Sequence, residues 1–179
     1  MMQVTTNRVL TYACAVLLAG IAVLLPMCSG QPVAINYGVD KCAWCQQEID
    51  DNHFGSTLVT QDGKVFKFNS IECLMAFHIQ PTVPNETFEA SWVCDYNNPG
   101  HLIRAGQAAF VHTTEKSSPN GVGLFAFSSD DEALKFADET AGKTLEWDAV
   151  KKLVRSEWFE HVVDTTTVAD SLAVDTAGQ

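Results

Sequence analysis

Cys42 and Cys45 are separated by two residues in the run Asp40-Lys41-Cys42-Ala43-Trp44-Cys45-Gln46-Gln47-Glu48-Ile49. That spacing lets one loop turn both sulfurs toward a single ion. Thiolates are soft and polarizable, so such a pair favours Cu(I), Zn(II) or an iron–sulfur centre over magnesium or calcium. Cys73 follows Ser70, a residue suited to capping a helix, and so falls in a first helical turn. Free amide N–H groups and the helix dipole stabilise a thiolate there. A loop dithiol and a cysteine at a helix start make a metal cradle of Cys42, Cys45 and Cys73, with Cys94 as a secondary candidate donor.

Other chemistries use the same residues. Four cysteines outside the cytoplasm can form two structural bridges in three pairings, although Cys42 and Cys45 are too close for a bridge to constrain much chain. All four thiolates could instead hold a tetrahedral structural zinc. Thiol–disulfide exchange normally places the pair at the start of a helix. No long helix follows Cys45, and Glu48, Asp50 and Asp51 disfavour thiolates unless a cation binds. Those three carboxylates and Asp40 also offer a docking rim for a basic partner surface. His53, His78, His101, His112 and His161 are dispersed without helical metal spacing and read as core or surface residues. No Ser, His and acid set and no glycine-rich phosphate loop stands out, so the chemistry is binding and not turnover.

The elements that must hold these residues are short. Residues 56–60 and 65–68 have strand composition around a turn at Gln61-Asp62-Gly63-Lys64. The helix begun at Ser70 stops before Pro81 and Pro84, and a further strand covers residues 88–95. A similar order follows: strands at 108–112 and 123–127, a helix opened by the Ser129/Glu132 capping box, and a last helix over 146–155. The first of these two helices carries an apolar stripe of Ala133, Leu134, Ala137 and Ala141, with Gly142 closing it. The fold class is therefore α+β, with two pseudo-repeated strand–strand–helix units sharing one core. Their expected spans are 41–96 and 104–155, within a domain of 41–163.

The N-terminus reads as an export signal over residues 1–27: Arg8 precedes an apolar run from Val9 through Leu25. Pro26-Met27-Cys28-Ser29-Gly30 then resembles a lipoprotein cleavage site, with Cys28 the acylated residue. Residues 28–40 would be a lipidated tether and lead-in strand, and 164–179 a flexible tail. The expected location is the cell envelope, lipid-anchored and facing the periplasm. Acidic residues number 22 against 11 basic ones. Clustered lysine and arginine are what a phosphate backbone requires, so nucleic acid is excluded as a partner.

Taken in order, Ile35-Asn36-Tyr37-Gly38, Asp40, Cys42, Cys45, Asp50, Phe66-Lys67-Phe68, Ile71-Glu72-Cys73, Asp95-Tyr96, Ser118-Pro119, Gly121 and Ala126-Phe127 resemble the NosL family. These are lipoproteins that accompany nitrous oxide reductase. The resemblance implies a membrane-tethered periplasmic Cu(I) chaperone that helps load that reductase or another cuproprotein, working with an ABC-type maturation machinery. It also implies two ββα-type units. Two positions depart from the family pattern: Gln47 and Asn120 stand where the family commonly has methionine. Thioethers are soft Cu(I) donors and amides are poor ones, so the protein either relies on its cysteines, with Cys94 as the compensating donor, or has changed its function.

Overall fold

A computed structural model describes residues 30–160. The export signal, Cys28 and the tail over 164–179 lie outside the described residues. Within them the chain forms β1 (Ser56–Thr60), β2 (Val65–Phe68), α1 (Ile71–Ile79), β3 (Phe88–Cys94), β4 (Leu102–Arg104), β5 (Ala109–His112), β6 (Leu124–Phe127), α2 (Asp130–Glu139), β7 (Lys143–Leu145) and α3 (Trp147–Arg155). One sheet has the order β2-β1-β3-β4 and the other β6-β5-β7, every pairing antiparallel. In both sheets the first strand is flanked by its hairpin partner and by the strand that follows the helix. The α+β class expected from the sequence is the class observed.

The β1–β2 hairpin turns where expected. Gly63, at φ +81°, donates its N–H to Thr60 O at 2.9 Å and lets the chain reverse before Lys64. All five residues of β1 are buried because the strand has neighbours on both edges and packing on both faces. β2 then runs within three residues of α1, which is what brings the loop and helix cysteines together.

α1 is buried from Ile71 through Phe77 and has little amphipathic character. A helix apolar on all sides must be enclosed on all sides. It touches β1 and β2 of its own sheet, β6 of the other sheet, and α3. One core cluster accordingly joins Leu58, Phe68, Leu74 and Phe77 to Phe110, Leu124, Val150 and Val154. Met75 is fully buried in it. A smaller aromatic cluster of Phe54, Phe125, Phe127 and Phe136 packs around Tyr96.

Three local expectations are corrected. Residues 35–38 form no strand: Asn36 O accepts from Val39 N at 3.1 Å and Asp40 N at 2.9 Å, closing a turn. In α2 the buried stripe is Ala133, Phe136, Ala137 and then Thr140, whereas Leu134 is 53% exposed. Positions three, four and seven residues apart share a helix face, and Leu134 is rotated off it. The short strands β4 and β7 go beyond the expected strand–strand–helix pattern, their three-residue lengths giving too little alternation to read.

Candidate metal centre

The loop that carries the dithiol is a tight reversal. Cys42 N–H donates to Gln47 O at 2.8 Å, and Gln46 N–H returns to Cys42 O at 3.0 Å. Gln46 takes φ +64° to complete the bend, and a bridge between Lys41 and Glu48 closes its base. Ala43 N–H donates to Lys67 O at 2.7 Å, fastening the loop to β2. From the other direction Ser70 caps α1, its hydroxyl accepting from Cys73 N–H at 3.3 Å.

These two fixings converge three sulfurs. The Sγ atoms of Cys42, Cys45 and Cys73 all lie within 4.8 Å of one another. A metal–thiolate bond of about 2.3 Å places the sulfurs of a trigonal centre about 4.0 Å apart, so small adjustments close the triad on one ion. Cys42 and Cys73 are wholly buried, while Cys45 is partly exposed.

The thiols are electrostatically unequal. The Cys73 hydrogen bond is the largest influence on Cys42, whose sulfur is also met by the backbone N–H groups of Cys45, Asn69 and Trp44. Against the opposing effect of burial, these bring its pKa down to about 5. The same sulfur–sulfur bond, followed by burial, pushes the Cys73 thiol strongly up. Burial raises Cys45 as well. The cradle thus holds one thiolate ready and keeps two protons for an incoming cation to displace.

Cys94 does not join this group. Its Sγ donates to Asn52 O at 2.8 Å and accepts from Gly100 N–H at 3.1 Å, and burial raises its pKa. The four-cysteine arrangement suited to tetrahedral zinc is therefore not assembled. The four described cysteines are free thiols, and the pair sits in a reversing loop and not at a helix start, unlike an exchange dithiol. Among the described residues no other His, Cys, Asp or Glu cluster has comparable ligand geometry. His78 is held between Phe88 and Trp147 with a bond to Ser91 Oγ at 2.9 Å, a packing role.

Two side chains flank the triad. The single Cys73 S–H is shared between Cys42 and Asn120, whose Oδ1 lies 3.4 Å from Cys73 Sγ, and Cys45 Sγ donates to Gln47 Oε1 at 4.0 Å. Asn120 arrives from the second half of the chain on the turn Ser118-Pro119-Asn120-Gly121, closed by Gly121 N–H to Ser118 O at 3.0 Å. Ser118 Oγ anchors that turn, donating to Glu72 Oε1 of α1 and accepting from Gly123 N–H at 2.8 Å. The Glu72–Ser118 contact joins residues 46 apart, and nothing local in the sequence signals it.

The carboxylates divide. Asp40 is engaged by Lys67 Nζ at 2.6 Å, and that bond, ahead of Asn36 N–H, lowers its pKa. Glu48, Asp50 and Asp51 instead line an open cleft of about 870 Å3, together with Gln47, Asn69 and Ser118. This acidic cleft borders the triad, since Gln47 meets Cys45 and the Asn69 backbone meets Cys42.

A family model for NosL matches residues 32–154. The chain belongs to the NosL family. A crystal structure of the copper chaperone NosL from Shewanella denitrificans matches with a TM-score of 0.57 and 26% identity, over 66% of this chain and 93% of that one. No curated protein matches this sequence. The match in fold places the described domain of this NosL protein within a known architecture, and the three-sulfur cradle lies inside the matched span.

Proposed function

We propose that this NosL protein is a Cu(I) chaperone, tethered in the cell envelope through lipidated Cys28 and serving the maturation of nitrous oxide reductase or another cuproprotein. The observation that carries the copper reading is the convergence of three thiol sulfurs within 4.8 Å, with Cys94 excluded. Cu(I) is soft and accepts two or three sulfur donors, whereas a structural zinc site is almost always four-coordinate. Family membership and the likeness to a copper chaperone support the same choice.

Copper is cargo here, and delivery needs ligand exchange without a change of oxidation state. Cys42 and Cys73 are buried, so the partly exposed Cys45 is where a partner's soft donor can approach. A new bond from that donor to copper forms as the Cys45 bond breaks, and the released thiolate takes up a proton. Glu48, Asp50 and Asp51 beside the exit attract a basic surface on the receiving protein. Such a partner, any ABC-type machinery and the periplasmic setting follow from the family reading.

Anaerobic Cu(I) titration of the reduced domain against a competing chelator tests this. Wild type should bind one ion tightly. Cys42→Ser, Cys45→Ser and Cys73→Ser should each weaken binding by at least about tenfold, while Cys94→Ser leaves it unchanged. Copper binding indifferent to the three triad substitutions would sink the proposal, as would equal loss in the Cys94 variant.

A further inference from the structure

Resting on that reading, we propose that Asn120 and Gln47 form an amide clasp that makes this site an all-sulfur Cu(I) centre tuned from outside the coordination shell. Both residues point an amide oxygen at a cysteine of the triad. The two reach the cradle from the first and second halves of the chain.

Their chemistry sets what they can do. An amide oxygen is a hard, neutral donor and competes poorly with three thiolates for Cu(I). An amide does, however, carry both an acceptor oxygen and an N–H2 donor on one rotatable group. In the thiol form the oxygen of Asn120 accepts from Cys73 Sγ at 3.4 Å and from the Ser70 hydroxyl at 2.7 Å. A metal-bound sulfur has no proton and can only accept. The clasp then presents its N–H2 edge to the sulfurs, and Ser70, whose hydroxyl both donates and accepts, becomes the acceptor for Asn120. The Asn120 side chain is thereby a positioning group for Cys73 and Gln47 one for Cys45.

This arrangement has a consequence for charge. Three thiolates around one Cu(I) leave two surplus negative charges, and two of the sulfurs are fully buried. Buried negative charge requires hydrogen-bond donors, and the described cradle offers three backbone N–H groups to Cys42 but only that of Gln47 to Cys45 and the Ser70 side chain to Cys73. Asn120 and Gln47 supply donors at the other two. A thioether at either position would add a ligand but no donor, so the clasp exchanges coordination number for stabilised thiolate charge. Metal partners that orient or hydrogen-bond ligands typically change affinity by about 10–100-fold when removed.

The decisive variant is Asn120→Asp. Aspartate keeps the shape and can still accept from Ser70, yet it offers a metal-bound sulfur only oxygen lone pairs and a negative charge. The experiment measures Cu(I) affinity anaerobically for wild type, Asn120→Asp, Asn120→Ala, Gln47→Ala and Asn120→Met. Copper X-ray absorption then counts the sulfurs, and thermal unfolding of each metal-free variant checks the fold. Wild type should show sulfur neighbours only; Asn120→Asp should bind at least about tenfold more weakly, although its metal-free fold matches wild type. Asn120→Met should add a sulfur to the shell, and the side-chain N–H2 signals of Asn120 and Gln47 should shift when Cu(I) binds wild type. Equal affinity for Asn120→Asp and wild type would overturn the clasp, as would an oxygen or nitrogen ligand that disappears in Asn120→Ala. Absence of Cu(I) binding by wild type itself would instead remove the chaperone reading beneath it.

Discussion

Cys73 Sγ donates to Asn120 Oδ1 at 3.4 Å across 47 residues of sequence, joining the helix of the first sheet to the β5–β6 connection of the second. The candidate site is therefore completed by both halves of the fold. The turn that carries Asn120 is anchored by Ser118 to Glu72 and Gly123, and the Ser70 hydroxyl holds the Asn120 side chain directly at 2.7 Å. Disturbing that turn should be felt at the cysteines even when no cysteine is touched.

Gly123 gives the cleanest way to disturb it. Its φ is +77°, and a Cβ there would sit 2.0 Å from Thr113 O, a backbone atom that cannot swing aside. Gly123→Ala should lose about 2 kcal/mol or more in urea unfolding and weaken Cu(I) binding in parallel. Gly63 is the control: at φ +81° with nothing within 4 Å of its Cβ position, Gly63→Ala should cost only backbone strain, about 1 kcal/mol. Its copper affinity should be unchanged. Loss of affinity in Gly63→Ala to the same extent would show that general destabilisation, not the turn, governs the site.

Proton release follows from the unequal thiols. At pH 7 Cys42, with its pKa brought down to about 5, is already ionised, whereas Cys45 and Cys73 are raised and protonated. Binding one ion to three thiolates should release about two protons. Apparent affinity should then rise about a hundredfold per pH unit between about pH 6 and 8. Below about pH 5 the dependence steepens, because Cys42 is protonated as well. Calorimetry in two buffers of different ionisation enthalpy counts the protons directly; a count near three at pH 7 would mean that Cys42 is not the standing thiolate.

The parts of this site that were legible in sequence are those whose geometry is local. The Cys42/Cys45 spacing, the Ser70 cap and the turn at Gly63 each need only a few neighbouring residues, and each is found in the structure. The short β2–α1 connection places Cys73 beside β2, but its approach to the pair also needs the Ala43 N–H to Lys67 O bond that fastens the loop to that strand. Cys94 was different. Its composition made it a donor candidate, but ligation depends on where β3 ends relative to the loop, a tertiary fact. Asp40 likewise reads as a free rim carboxylate, and the Lys67 that engages it lies 27 residues away, outside any local pattern. Leu134 was misassigned because one residue of helical phase separates a buried face from an exposed one.

Glu72 makes a separate prediction about stability. It is completely buried, Ser118 donates to its Oε1, and its Oε2 has no partner. Burial raises its pKa above the ordinary 4.5. A carboxyl whose folded pKa is raised gives stability that is full below the unfolded value and eroded as pH climbs from there toward the folded value. Glu72→Gln keeps the shape and the bond from Ser118 but cannot ionise. Its unfolding midpoint should match wild type near pH 4 and exceed it at neutral pH. Parallel pH–stability curves for the two proteins would contradict a neutral, buried Glu72.

The acidic cleft yields the last test, because its carboxylates and Asp40 have different fates. Glu48, Asp50 and Asp51 line the open cleft beside Cys45, with Asp51 meeting His53 Nδ1 at 2.9 Å, while Asp40 is held by the lysine ammonium of Lys67 at 2.6 Å. Only charges left uncompensated can steer a basic partner, and such steering weakens as salt shortens the screening length to about 8 Å at physiological ionic strength. The triple variant Glu48→Gln, Asp50→Asn, Asp51→Asn should slow copper transfer to a basic acceptor by about tenfold or more at low salt and much less at high salt. Cu(I) affinity should stay within about twofold, since none of the three belongs to the sulfur triad. Asp40→Asn should leave the transfer rate nearly unchanged at either salt concentration, and show its effect in loop stability through the lost Lys67 bond. Stopped-flow transfer at two ionic strengths separates these outcomes, and a rate that depends on Asp40 but not on the cleft would place the docking face on the opposite side of the dithiol loop.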